Sequence, residues 1–303
     1  MMRIGCHILQ WGMGIDRKKR YTWDGKIWNR SLEQTLDSVS NCNYEGFECN
    51  DSDVTPYFNN PGEFRTIVSS RGLKFVSIWN TLLPKKMASD ELQTVNPDLP
   101  MSDPGQYAPI SISNVDERTV QEDLAEKKHF ALKLSELGGG MVTIGGPYMV
   151  SENIREEYYE MAGHLLNEIA EEYKKYGIKV SYHPELGTIA QNVRGVDLLF
   201  DYADKGLVGL CLETAHLTCA GVDPAEFVER YGPRITHAHM KDVSSDGKFV
   251  ELGTGIVQFG KIIRALKKVG YNGWLMAELD IPVRSADESA RANKVFLDAL
   301  LKE

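Results

Sequence analysis

SYHPE (residues 181–185), LETAH (212–216), THAHMKD (236–242) and MAELD (276–280) punctuate the C-terminal half of the chain. Each closes a short apolar, β-branched run, so four successive strands would each deliver a polar side chain to the same end of a sheet. The steps from Glu185 to Glu213, on to His239 and on to Glu278 are 28, 26 and 39 residues. Each is close to the length of one strand plus one helix, and that rhythm predicts an α/β barrel.

Outward from these clusters, eight strand-like runs can be marked: RIGCHI, EGFEC, KFVSIW, MVTIG, KVSYH, VGLCLE, ITHAH and WLMAEL. Most are entered after a Gly, Asn or Pro turn signal. Helical patterns fill the gaps. Ser31 with Gln34 reads as a capping box, and Asp223-Pro224-Ala225-Glu226 supplies an N-cap, a first-turn proline and an N3 carboxylate. Phe259, Ile262, Ile263 and Leu266 repeat at helical spacing before Gly270, and segments 115–137 and 153–176 are long amphipathic candidates. The expectation is a single (β/α)8 TIM barrel domain over residues 1–303. Two stretches interrupt the pattern after strands 1 and 3: residues 13–30, with Trp23 and Trp28, and residues 81–114, rich in Pro, Ser, Asp and Asn. Barrel active sites are built at those strand ends, so these segments read as lids, subunit contacts or plain loops.

The length of 303 residues suits one barrel. A formal net charge of −9 without any block of Lys or Arg argues against a nucleic-acid partner. The N-terminal MMRIGCHILQWGMG is too short and too polar for a signal peptide. No run approaches the roughly 18 apolar residues of a membrane helix, and a soluble, cytoplasmic protein without a membrane partner is expected. Cys6, Cys42, Cys49, Cys211 and Cys219 include no C-x-x-C pair, which favours reduced, buried thiols. Nucleotide-binding glycine loops, a serine-hydrolase elbow and an H-E-x-x-H helix are all missing from the sequence.

Strand alternation puts His183 with Glu185 on one face, and His237 with His239 and Lys241. Glu185, Glu213, His239 and Glu278 would form a mostly oxygen site suited to a divalent ion, Mn²⁺ foremost, with Mg²⁺ or Co²⁺ as alternatives and thiolate-bound zinc disfavoured. Such an ion lowers the barrier to removing a proton beside a carbonyl, with a neighbouring carboxylate or histidine as base. His183, on the face of Glu185, is the candidate base, and otherwise a wall residue. Lys241 would donate to a substrate oxygen or stabilise an enolate, or form a rim salt bridge. Trp11 and Trp79, ending strands 1 and 3, would offer sugar rings an apolar face or simply pack. Glu48 and Asn50, closing strand 2, would bind hydroxyls or serve structure. His237 would face the substrate or stand behind the ligands.

From NYEGFECND through LKFVSIW, SYHPELGT, LETAHLTCAGVDP, THAHMKDV and GWLMAELD, nearly the whole chain resembles the xylose-isomerase-like barrels, the sugar phosphate isomerase/epimerase superfamily. The H-x-H-x-K-D and GVDP segments are most similar to the inosose dehydratase branch. The resemblance implies a metal held by Glu185, Glu213, His239 and Glu278 and a substrate-side histidine at His216. In an isomerase or epimerase, Glu185 and Glu278 would exchange protons on opposite faces of the substrate. Two positions depart from the pattern: the strand-6 ligand, commonly Asp in D-T-x-H, is Glu213, and strand 5 reads His-Pro-Glu where dehydratase relatives often carry a second histidine. C-glycoside-cleaving relatives acting on 3-keto sugars imply His183 as the α-proton acceptor.

Four functions follow as alternatives. The leading expectation is a metal-dependent lyase that forms an enolate beside a keto group of a sugar, keto-glycoside or cyclitol and then eliminates a β-substituent. The second is an isomerase or epimerase reprotonating the same enolate. An AP-endonuclease-like nuclease would want more histidines and a basic face, and a non-catalytic barrel subunit would leave the ligands free. The expected partner is a small, unphosphorylated carbohydrate or cyclitol. A homo-oligomer or a small partner subunit is compatible with the inserted segments.

Overall fold

Eight apolar runs become eight parallel strands, each walled on its outer side by the apolar face of a helix. The computed structural model describes residues 1–22, 25–83, 117–148 and 154–302. The strands are β1 Arg3–His7, β2 Gly46–Asn50, β3 Lys74–Thr81, β4 Met141–Gly145, β5 Lys179–Tyr182, β6 Val208–Glu213, β7 Ile235–Met240 and β8 Trp274–Ala277. They hydrogen-bond in sequence order, and β8 pairs with β1 to close the barrel. The expected runs and the observed strands agree within two residues at either end.

Outside the strands lie α1 Leu32–Asn41, α2 Pro61–Ser69, α3 Glu117–Leu137, α4 Glu156–Lys174, α5 Val193–Tyr202, α6 Pro224–Tyr231, α7 Phe259–Lys268 and α8 Ala286–Leu300. Their ends are set locally. Ser31 and Gln34 close the expected capping box on α1. Asp223 caps α6 with Pro224 in its first turn, and α7 buries Phe259, Ile262, Ile263 and Leu266.

The barrel register brings side chains from different strands to one level. His7 on β1 lies beside Glu48 on β2, and His239 on β7 lies beside Glu213 on β6. Both pairs sit at or near the C-terminal ends of their strands, where barrel active sites are built.

The first inserted segment is more ordered than a loop. Met13–Gly14, Lys19–Tyr21 and Ile27–Asn29 form a three-stranded antiparallel sheet, with Trp23 outside the described residues. Arg20 is the clamp: almost fully buried, it pairs with Asp53 at 2.8 Å and donates to Gly12 O. Asp53 also accepts from Gly14 N at 2.9 Å and Asn50 N at 3.0 Å. The second inserted segment falls almost wholly on residues 84–116, outside the described residues. Cys6, Cys49 and Cys211 are buried on strands as expected, Cys42 is buried, and Cys219 is half-buried. Among the described residues no helix is long and apolar enough to cross a membrane.

Candidate active site

Four buried side chains meet at the mouth of the barrel: His183, Glu213, His239 and Glu278, with one donor atom from each lying within 4.8 Å of the others. His183 Nε2 is 3.0 Å from His239 Nδ1 and 3.3 Å from Glu213 Oε2. His239 Nδ1 is 3.4 Å from Glu213 Oε2 and 2.6 Å from Glu278 Oε2.

Three of the four residues expected to hold a metal are therefore together, and the fourth place is taken by His183 instead of Glu185. The cause is local. His183 N still bonds to Ile144 O at 2.9 Å, so its side chain keeps the inward orientation of the strand. Pro184 has no N–H to continue the ladder, and Glu185 lies beyond the strand's alternation. Its carboxylate faces the far side of the same imidazole, 3.7 Å from His183 Nδ1. Tyr148 donates to Glu185 Oε1 at 2.5 Å. Gly145, ending β4, makes room for that carboxylate, since a Cβ there would stand 2.3 Å from Glu185 Oε1.

Each neighbour of the cluster is placed by its own element. Glu213 ends β6 and caps the short helix Thr214–Cys219, accepting from Ala215 N at 3.3 Å. That helix carries His216 inward, where Nδ1 accepts from Leu186 N at 3.2 Å and Nε2 lies 3.4 Å from Lys241 Nζ. Lys241 is buried and not at an open rim. It pairs with Glu278 at 2.9 Å and with Asp280 at 2.8 Å, and its ammonium lies over the Phe249 ring. Trp79, half-buried on β3, sets its ring edge-on to His183.

Three expected substrate-binding residues stand elsewhere. Glu48 and His237 are fully buried beneath the cluster, where His237 Nε2 and Glu48 Oε2 are 2.7 Å apart and His239 Nε2 is 2.8 Å from Glu48 Oε1. Like Glu213 and His239 they have no exposed surface, and one donor atom each from Glu48, His237 and His239 lies within 4.8 Å of the others. Trp11 lies past the end of β1, in the 3-10 turn Ile8–Trp11; its indole donates to Asp287 at 2.6 Å. It lines a cavity of about 420 Å³ with Trp28, Arg30 and Asp280. Asn50, also buried, starts the short helix Asp51–Val54.

The electrostatics describe a site short of positive charge. Burial alone would raise Glu213, and Glu278 adds to that, yet bonds from His183 and His239 hold it down to about 2. Glu278 is likewise held well below the usual carboxylate range against its burial, by Lys241 and His239. His239 moves the other way: burial opposes its charge, but Cys211, Glu48 and Glu278 raise it well above the ordinary imidazole value. The carboxylates that favour a proton on His239 would equally favour a cation at this place. Burial pushes the Cys211 thiol up to about 11, so it remains protonated beside the cluster. Glu185 differs from Glu213 and Glu278: burial raises it despite His183 and Tyr148. Burial and Lys241 push His216 down to about 3, and burial pushes Asp280 up to about 6.

Tyr148, Asp280, Ser77, Thr143 and Asp242 went unmarked in the sequence. Asp280 was findable, two residues past Glu278 at the alternation that linked His239 to Lys241. Asp242 accepts from the backbone of Gly253 and Gly255, each at 2.9 Å, which pins the G-T-G loop. Tyr148 reaches Glu185 only because β4 and β5 are neighbours.

Fold and site together define a class: α/β barrels with a mixed carboxylate–imidazole cluster, fit to receive a divalent ion, at the C-terminal mouth. The chain belongs to the xylose isomerase-like TIM barrel family, whose sequence profile matches residues 36–299. It is 30% identical over 146 residues to the inosose dehydratase of Clostridium botulinum (strain Alaska E43 / Type E3), covering 42% of this chain and 49% of that protein. The alignment thus spans about half the length of the curated relatives. The structure of an L-ribulose 3-epimerase superposes with a TM-score of 0.74 at 16% identity, covering 100% of this chain and 95% of the other. That of an IolI protein with a bound zinc atom gives 0.73 at 16%, covering 99% and 98%. At such identities the two structures establish the shared fold.

Proposed function

We propose that this chain is a divalent-metal-dependent enzyme that removes the proton beside a carbonyl of a keto sugar, keto-glycoside or keto-cyclitol and then eliminates a β-substituent. The observation that carries it is the division of labour around His183. Its Nε2 side belongs to the cluster with Glu213 and His239, and its Nδ1 side faces Glu185.

His183, Glu213, His239 and Glu278 would hold the ion. A bound ion supplies Lewis acidity toward the substrate's carbonyl oxygen. Two imidazoles in place of one soften the donor set, so Zn²⁺ and Co²⁺ stand beside Mn²⁺ as occupants. Glu185 replaces His183 as the base: its carboxylate takes the α-proton, and the C–H electron pair becomes the enolate double bond. Tyr148 holds that carboxylate in place. The Lys241 ammonium, fixed by Glu278 and Asp280, offsets the negative charge that develops on the substrate oxygen. As the enolate collapses back to a carbonyl, its C=C electron pair forms the Cα=Cβ double bond and the β C–O or C–C bond breaks, its pair going to the leaving group. The leaving group departs with that electron pair and is protonated by the acid form of Glu185 or by solvent. His216 and Trp79 line the approach.

A second outcome shares the first half of this chemistry. Lys241 puts another proton-bearing group in the same site, and protonation of the enolate would make the protein an epimerase or isomerase. Incubation of Mn²⁺- or Zn²⁺-loaded protein with keto sugars, inososes and 3-keto-glycosides in deuterated water separates the two. Loss of water or an aglycone supports the lyase, and deuterium beside the carbonyl of an intact sugar supports the epimerase. If no substrate exchanges or eliminates, both proposals fail.

A further inference from the structure

We propose that Glu48 is a positioning residue which takes the Nε2–H of His239 and so fixes the imidazole tautomer whose Nδ1 is free to hold a divalent ion. This rests on the cluster being a cation site, and it concerns a carboxylate with no exposed surface.

The ring of His239 lies between two sets of acceptors. Its Nδ1 faces His183, Glu213 and Glu278, at 3.0, 3.4 and 2.6 Å. Its Nε2 faces Glu48 Oε1 at 2.8 Å. A neutral imidazole carries one N–H, on one nitrogen or the other. An ion on Nδ1 requires that the proton be on Nε2, and an ionised carboxylate is a pure acceptor that can satisfy only that form. Nε2 makes no hydrogen bond elsewhere; the Cys211 thiol also lies beside the ring, but Glu48 is the carboxylate that faces this nitrogen.

Glu48 is itself immobilised for this task. Ser77 donates to its Oε2, His237 Nε2 lies 2.7 Å from the same oxygen, and Thr143 donates to Oε1 at 3.2 Å. These groups come from β3, β7 and β4, so the barrel wall fixes the carboxylate from three sides. Without that anion, His239 can place its proton on Nδ1 facing Glu278 and obstruct the ion.

The test compares wild type, Glu48→Gln and Glu48→Asp, with no substrate involved. Long-range proton–nitrogen NMR on histidine-labelled, Zn²⁺-loaded wild type should show His239 protonated at Nε2 and ligated through Nδ1. Titration with Co²⁺ should show Glu48→Gln losing about 10- to 100-fold in affinity, with a changed visible spectrum, and Glu48→Asp recovering part of the loss. Ligation through Nε2 in wild type, or unaltered Co²⁺ affinity and spectrum in a folded Glu48→Gln, overturns the role of Glu48 alone. If Glu48→Gln does not fold, the wild-type tautomer decides. Failure of wild type to bind Zn²⁺ or Co²⁺ overturns the cation site and this inference together.

Discussion

The two halves of the barrel contribute different kinds of chemistry to one site. Strands β5 to β8 end in His183, Glu213, His239 and Glu278, whose donor atoms converge at the mouth. Strands β1 to β4 supply buried Glu48 below them, the Ser77 and Thr143 hydroxyls that hold it, and the Trp79 ring and Gly145 gap at the side. On the proposed reading, the C-terminal half would present the ligands and the N-terminal half would orient them. A polar group can reach a ligand only at a strand's open end; one a turn lower can act only through its neighbours.

Removing a ligand should have the largest effect. Glu213→Ala or Glu278→Ala is expected to weaken Mn²⁺ or Zn²⁺ binding more than about 100-fold, beyond the 10- to 100-fold typical of groups behind the ligands. Calorimetric titration reads this directly. If Glu185→Ala matches them, the ligand is Glu185 after all and the assignment of His183 is wrong.

Lys241→Met leaves Glu278 and Asp280 without their buried ammonium. A loss on the order of 3–5 kcal/mol in stability is expected from the unpaired charge, and kcat should fall about 10²- to 10³-fold. Arg20→Met tests the other half. It strands buried Asp53 at a similar cost in stability, yet ion affinity should stay near wild type. A large drop in ion affinity would show that the inserted sheet also organises the cluster.

Tyr148→Phe should lower kcat about 10-fold through the lost bond to the Glu185 carboxylate, with ion affinity kept.

The smallest effect concerns pH. His216 titrates near 3 in the folded protein and near 6.5 when unfolded. Below about pH 6.5 the unfolded chain takes up a proton that the folded site refuses, so wild type loses stability as pH falls toward 3. Denaturation of His216→Asn across that range should show a shallower decline than wild type, with the two curves parallel above pH 7.

How much was legible depended on whether a residue obeyed strand alternation. Glu213, His239 and Glu278 sit at or just past strand ends, so their convergence could be read before any coordinates. His183 joins the cluster and Glu185 lies beside it, because Pro184 ends the ladder between them. Lys241 was expected on the face of His239 and is there, but its burial between two carboxylates depends on Asp280 arriving from β8. Trp11 and Trp79 looked alike in sequence. The chain turns inward after β1 and buries one indole against Asp287, whereas β3 carries the other up to His183.

The sequence by itself determined the barrel, the order of its strands and three of the four cluster residues, because apolar periodicity, caps and turn signals act over a few residues. Only the tertiary structure decided which imidazole completes the cluster, which acid remains outside it, and how deep Glu48 lies. Those outcomes depend on the register between strands far apart in the chain and on which neighbours exclude water from each charge.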